Sequence, residues 1–337
     1  MPRNAAPLAT TTIDLVRDPV ARAWASLGED PPASVSLLRK ASLSKPAIHR
    51  LEFSAPGTPA VFAKRSSPAM LALERRIYET ILPRLPVTVA RYRGACEYDG
   101  EAWMFVEDVG EECLSPADPQ HRVLAATWLG LLHRSSEEVI AAEPLPDAGP
   151  GRYLDYLRAG HDEIRRHLGN RGLTPTDREV LNAVLAQGDL LESRWPQIER
   201  ACQGFPVTLV HADFQPKNVR IQMTEAGPTI CPIDWETAGR GVPAADLARA
   251  SSPGLVMLAD PAAYERTVRE SWPHLDTAAI RRLSIIGHVL QPQAGIFWSC
   301  ADLRFEDPRC LVRPISSMRR YLAQISAALE AGKGWLA

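Results

Sequence analysis

The segment LVHADFQPKNVRI, residues 209–221, sets His211, Asp213 and Asn218 between two apolar runs. CPIDWE, residues 231–236, does the same with Asp234 behind Cys231, Pro232 and Ile233. Polar groups on short loops between buried strands are costly unless they are solvated, paired or used. These residue types suit phosphoryl transfer. A carboxylate at Asp213 can orient a hydroxyl and accept its proton as that oxygen attacks phosphorus. Asn218 offers a neutral oxygen and Asp234 a charged one, and Mg²⁺ takes a few such oxygens together with phosphates and water. His211 would brace the loop through a backbone or carboxylate hydrogen bond. Taken singly, each of these residues is better read as an Asx-turn or a turn cap. The ordered pattern H-x-D-x-x-x-x-N followed by I-D-W-E is long for coincidence.

Other chemistries lack their signatures. EAGKGW near the C-terminus has neither the first glycine nor the Ser/Thr of a P-loop. No H-E-x-x-H occurs, and His161 and His167 in HDEIRRH are wrongly spaced for two ligands on one helical face. There is no G-x-S-x-G nucleophile elbow, and no strand runs into G-x-G-x-x-G.

The elements that must position these residues can be read from hydrophobic periodicity. Residues 13–27 have the spacing of an amphipathic lead-in helix. From Ser34, SVSLLRKA, AIHRLEFS and PAVFAKRS alternate like antiparallel strands. SPAMLALERRIYETILPRL follows at helical spacing with a Ser-Pro start and a Pro stop. VARYRGACEYDGEAWMFVEDV then reads as two more strands joined at YDG. Beyond EDVGEECLSPADP, residues 107–119, the chain is mostly helical, interrupted by the two β-like stretches that carry the polar residues. The expected fold class is α+β and bilobal: an N-terminal lobe over residues 1–108 with an antiparallel five-stranded sheet and one helix, and a mainly helical lobe over 109–337. Ligands in such folds tend to sit between lobes.

HADFQPKN and CPIDWE together resemble the catalytic segment of the aminoglycoside phosphotransferase and choline kinase-like family of small-molecule kinases. The continuation ETAGRGVPAADLAR, residues 236–249, strengthens the likeness. The resemblance implies a protein-kinase-like fold and an ATP or GTP donor with Mg²⁺. Asp213 would be the catalytic base, Asn218 and Asp234 the metal ligands, and Asp246 and His133 structural supports. Lys64, ending the third strand, matches the lysine that holds nucleotide phosphates, and Glu74 on the next helix its carboxylate partner; Arg65, Arg75 and Arg76 compete on position alone. Backbone groups around Glu107, Asp108 and Val109 would meet the nucleotide base. The phosphate cover would be KASLSKPAIH, reaching from Ser42 to Lys45, although it lacks the glycines relatives often place there.

The whole chain bounds the rest. It has 337 residues, 45% hydrophobic and 23% charged, with a net charge of −2, which gives no electrostatic reason to expect nucleic acid or an anionic membrane as partner. Six scattered cysteines without a CxxC pair, and an N-terminus without a secretory h-region, lead to the expectation of a cytoplasmic protein. Its partner is expected to be a small-molecule hydroxyl substrate. A polycationic acceptor would call on carboxylates of the helical part, the candidates being Asp155, Asp162, Glu163, Asp302, Glu306 and Asp307. HVLQPQAGIFWSCADLRFEDP offers Phe297, Trp298 and Phe305 to a flatter ligand, or is simply a core helix and its exit loop. An antibiotic hydroxyl is the leading acceptor class. A metabolic kinase of choline, an amino alcohol or a sugar is the second reading, and a nucleotide-binding pseudokinase-like protein the third.

Overall fold

Six helices open on the same device, a capping residue followed by proline. Asp18-Pro19, Ser67-Pro68, Asp118-Pro119, Thr174-Pro175, Asp260-Pro261 and Asp307-Pro308 each place a side-chain oxygen on an orphan amide of the first turn. Proline at the first helical position loses nothing there, because its missing N–H would be unpaired anyway. Six of the chain's 29 prolines are therefore helix punctuation.

The computed structural model describes residues 15–40, 47–225, 227–249 and 254–335. After helix α1 (Pro19–Ala25) come β1 (Ser34–Arg39), β2 (Ala47–Glu52) and β3 (Val61–Ser66), then α2 (Pro68–Arg76), β4 (Tyr92–Tyr98) and β5 (Glu101–Glu107). The five strands form one antiparallel sheet in the order β1-β2-β3-β5-β4. The β4–β5 turn at YDG takes left-handed φ at Asp99 (53°) and Gly100 (75°), the geometry that suits a two-residue hairpin.

Strand alternation decides which residues share a face. Val61, Ala63, Trp103 and Phe105 point to one side, where Trp24 of α1 meets Phe105 edge-on at 5.1 Å. Lys64 lies opposite Met104 in the β3–β5 register, so both point to the other side, toward α2. Arg65, one residue on, lies opposite Trp103 on the α1 side, with its guanidinium 5.9 Å from that ring.

The remaining chain is built on α3 (Pro119–Ile140), α4 (Pro150–His167), α5 (Pro175–Ser193), α6 (Trp195–Cys202), α7 (Ala244–Leu247), α8 (Pro261–Val268), α9 (Thr277–Cys300) and α10 (Pro308–Ala331). Between α6 and α7 run β6 (Thr208–Val210), β7 (Val219–Thr224), β8 (Gly227–Pro232) and β9 (Gly239–Gly241). β7 and β8 form a hairpin, while β6 pairs with β9. Gly239 and Gly241 are required by close approach: a Cβ there would meet the carbonyl oxygens of Pro146 and Ala148 at 2.5 and 2.4 Å. Among the described residues no helix is long and apolar enough to cross a membrane.

Two expectations need correction. The lead-in helix is shorter than 13–27, because Asp18 caps it and Pro19 starts it; residues 13 and 14 lie outside the described residues. The helix after β3 does not stay α-helical to the proline stop. It passes into a π turn at Ile77–Ile81 and a 3-10 turn at Leu82–Arg84.

Candidate active site

Lys64 is the first anchor. Its side chain is 9% exposed, and its Nζ donates to Glu74 Oε2, Asp234 Oδ1 and Glu236 Oε2, each at 2.7 Å. Burial alone would lower the ammonium's pKa, but Glu74, Asp234 and Glu236 together raise it, so the lysine stays charged. Burial also works to raise Asp234, yet the Lys64 charge and hydrogen bond hold that carboxyl below its ordinary range. Glu74, the most buried of the three, is pushed up by burial to about 7 against the pull of Lys64. Its other oxygen accepts the Trp235 backbone N–H at 3.2 Å, which ties α2 to the turn after β8. Three carboxylates around one ammonium leave the cluster formally anionic, a setting for a divalent cation or for donors that follow phosphate.

The competing basic residues fall elsewhere. Arg75 pairs with Glu79 at 2.9 Å, and Arg76 donates to the Pro144 carbonyl at 3.0 Å.

The second anchor is the loop after β6. Ala212 takes φ 63°, and the amides of His211 and Ala212 both donate to the buried Asp246 carboxylate at 2.8 Å. His133, itself fully buried, sits 3.3 Å from the same carboxylate and 2.8 Å from the Tyr264 hydroxyl. His211 Nδ1 accepts the Asp213 amide at 3.4 Å, so its Nε2 donates to the Ile233 carbonyl at 3.0 Å. One imidazole thereby links the Asp213 amide to the residue just before Asp234. Asp234 itself takes φ 70°. Left-handed backbone at a residue with a side chain is costly, of order 1–2 kcal/mol, and collects where surrounding structure enforces it.

Asp213 Oδ2 accepts two hydrogen bonds, from Lys217 Nζ at 2.7 Å and from Asn218 Nδ2 at 2.8 Å. Its Oδ1 has no partner among the described residues. Asn218 donates through nitrogen, which leaves its amide oxygen for a cation. Its backbone carbonyl accepts the Ile233 amide at 2.8 Å, bringing Asn218 beside the start of the Asp234 turn. Asn218 and Asp234 thus present oxygens of the kind Mg²⁺ takes, and the donor set fits that ion.

In the segment after β5, the amides of Glu107 and Asp108 donate to the carbonyls of Arg91 (2.9 Å) and Ala60 (2.8 Å). Val109 is buried, and its amide has no acceptor among the described residues. Ser42, with the rest of 41–46, lies outside the described residues.

A cavity of about 370 Å³ opens beside Asp213, lined also by Lys217, Arg249, Gln291, Trp298 and Tyr321. Gln291 Nε2 donates to the Ala212 carbonyl at 2.7 Å, so α9 supports the loop from below. None of the six carboxylates expected for a polycation lines this cavity. Asp162 and Glu163 pair with Arg165 and Arg166, and Asp307 caps α10 while pairing with Arg309. Sequence reading missed Glu236 and Lys217 as partners of the two anchors. Glu236 stood in CPIDWE beside Asp234, and its position two residues on in a tight turn was the available signal.

The sequence profile of the phosphotransferase enzyme family matches residues 56–280. No curated protein sequence matches the chain. Solved structures do. A choline kinase from Cryptosporidium parvum Iowa II is 12% identical with a TM-score of 0.59, over 90% of this chain and 92% of that one. A spectinomycin phosphotransferase solved with ADP and spectinomycin is 10% identical with a TM-score of 0.57, covering 89% and 93%. A macrolide 2′-phosphotransferase from Brachybacterium faecium is 16% identical with a TM-score of 0.53, covering 87% and 97%. The fold they share is that of protein-kinase-like small-molecule kinases. With its profile match running over well more than half its length, the chain belongs to the phosphotransferase enzyme family.

Proposed function

We propose that this protein moves the γ-phosphoryl group of ATP or GTP to a hydroxyl of a small molecule, with residues 1–108 holding the nucleotide and 109–337 the acceptor. The observation that carries this reading is the pair of anchors: Lys64 held by Glu74 and Asp234, and Asp213 oriented by Asn218 at the edge of a cavity. Asp213 Oδ1 takes the acceptor's proton as its oxygen bonds to the γ-phosphorus and the bond to the β-phosphate oxygen breaks. Lys64 turns its ammonium to the phosphates, positioned by Glu74. Asn218 and Asp234 would hold Mg²⁺, which would neutralise phosphate charge on the donor. The backbone at Glu107 and Val109 completes the nucleotide site, and the unpaired Val109 amide suits a base acceptor. Positioning and charge account for most of the rate.

An antibiotic hydroxyl, of aminoglycoside, nucleoside or macrolide type, is the acceptor class taken forward, with resistance by inactivation as the outcome. Two of the similar structures are named for such substrates. The second reading is a metabolic kinase of choline, an amino alcohol or a sugar, supported by the likeness to a choline kinase. The six free thiols fit action in the cytoplasm.

A mass-spectrometric screen tests this reading. Protein, Mg²⁺ and ATP or GTP are offered aminoglycosides, nucleoside antibiotics, macrolides, choline and homoserine, with Asp213→Ala alongside. One acceptor should gain one phosphate with wild type alone. Nucleotide binding without transfer to any acceptor would favour the pseudokinase-like reading, and no nucleotide binding would end the kinase reading.

A further inference from the structure

The cavity beside Asp213 carries more information than its position. Two cations and one carboxylate line it, and the carboxylate, Asp213, is already paired with one of the cations, Lys217, at 2.7 Å. Arg249 is the surplus charge. No carboxylate among the described residues pairs with its guanidinium, although its backbone is fixed at both ends. The Arg249 amide donates to the Val256 carbonyl at 3.1 Å, and its carbonyl accepts Gln324 Nε2 at 3.0 Å.

Two aromatic residues, Trp298 and Tyr321, form another part of the lining. Trp298 is 42% exposed although it sits on α9, a largely buried helix. Its ring rests edge-on against Tyr156 at 6.0 Å, and Tyr156 stacks on Phe297 at 5.0 Å. Tyr321 of α10 lies against α9 where Gly295 leaves room; a Cβ at 295 would meet the Tyr321 ring at 2.3 Å. The aromatic wall is therefore shaped by neighbours that do not themselves need the ligand.

Resting on the phosphotransferase reading above but departing from its antibiotic acceptor class, we propose that the acceptor is a compact hydroxyl compound bearing a carboxylate or similar anionic group beside a flat ring. Arg249 takes the anion, Trp298 and Tyr321 take the ring, and the hydroxyl reaches Asp213. Guanidinium and carboxylate match as paired donors and acceptors, and an aromatic face receives a ring with little loss of freedom. The transfer leaves the anionic group untouched: the hydroxyl oxygen bonds to the γ-phosphorus, the nucleoside diphosphate leaves, and the proton goes to Asp213. A quaternary or polycationic acceptor would also find aromatic faces here. It would, however, bring its charge against Lys217 and Arg249 with one carboxylate, already paired, to receive it. The cavity's volume lies at the lower end of the range for small-molecule sites, about 300–1,000 Å³, which fits a single-ring compound.

Three probes that share a benzyl group and a hydroxyl but differ in charge test this: 3-phenyllactate (anionic), 3-phenyllactamide (neutral) and phenylalaninol (cationic). Their dissociation constants are measured with Mg-ADP bound, for wild type, Arg249→Gln and Arg249→Lys. 3-Phenyllactate should bind at least about ten-fold more tightly than phenylalaninol, Arg249→Gln should abolish that preference, and Arg249→Lys should restore part of it. Melting temperatures show that the variants are folded. Equal or tighter binding of phenylalaninol, a charge preference that survives Arg249→Gln, or no binding of any probe overturns the proposal. ADP binding by wild type is read in the same titrations. If it fails, the phosphotransferase reading falls; if it holds and the charge order is absent, only the acceptor proposal falls.

Discussion

Two lysine–carboxylate contacts of identical length serve opposite purposes. Lys64 bonds three carboxylates with its side chain 9% exposed, and its partner Glu74 is 2% exposed. Lys217 bonds Asp213 at the same 2.7 Å with its side chain 65% exposed. The first contact is desolvated and joins β3 to α2 and to a turn about 170 residues away, so it fixes geometry. The second faces solvent and a cavity, where an ion pair contributes little and can be exchanged for a ligand. Distance alone does not distinguish a strut from a latch; burial does.

The comparison breaks most visibly if the strut is cut. Lys64→Met leaves Glu74 and Asp234 facing each other without a cation, and should cost about 3–5 kcal/mol of unfolding free energy in urea titration. A loss under 1 kcal/mol would mean that solvent already screens the cluster. Adding Glu74→Gln to Lys64→Met should recover part of the loss, because one uncompensated buried charge is removed. Next in size is Asp246→Ala, which strands the buried amides of His211 and Ala212 and should cost about 3 kcal/mol by the same titration.

A smaller effect should appear with pH. Burial holds His288 at about 4, below its usual 6.5, and its Nδ1 accepts from Gln324 at 2.7 Å. Below pH 6.5 the unfolded chain binds a proton that the folded chain refuses, so stability falls as pH drops from about 6.5 to about 4 and then levels. The contribution is at most about 3 kcal/mol, and His288→Gln should flatten that part of the stability–pH curve. The smallest change belongs to the latch. Lys217→Met should alter unfolding free energy by less than about 1 kcal/mol, and a larger loss would make the pair structural.

The sheet was legible because β1 to β3 alternate and the YDG turn marks β4–β5; β5 itself is an apolar run buried on both faces. The sequence made HADFQPKN and CPIDWE legible as an ordered pattern, and the β7–β8 hairpin between them with its two apolar arms. Lys64 and Arg65 were adjacent choices. Only the register against Met104 and Trp103 shows which side each faces, and that is a property of the assembled sheet. The β6–β9 ladder was hidden because Gly-Arg-Gly has no alternation to read; close approach to Pro146 and Ala148, not propensity, selects those glycines. Glu236 and Lys217 escaped because long side chains reach partners that spacing cannot predict. Trp298 read first as core and is instead 42% exposed, since helical periodicity does not say what lies beyond the helix.

In the proposed reaction Asp213 takes the proton of the attacking oxygen while the Lys64 cluster holds the nucleotide. Basal ADP release from Mg-ATP, measured beside ADP affinity for wild type, Asp213→Asn and Lys64→Met, tests it most directly. Asp213→Asn should keep its affinity for ADP within about two-fold and lose at least about a hundred-fold in turnover, whereas Lys64→Met should lose affinity as well. Wild-type turnover in Asp213→Asn would contradict the claim.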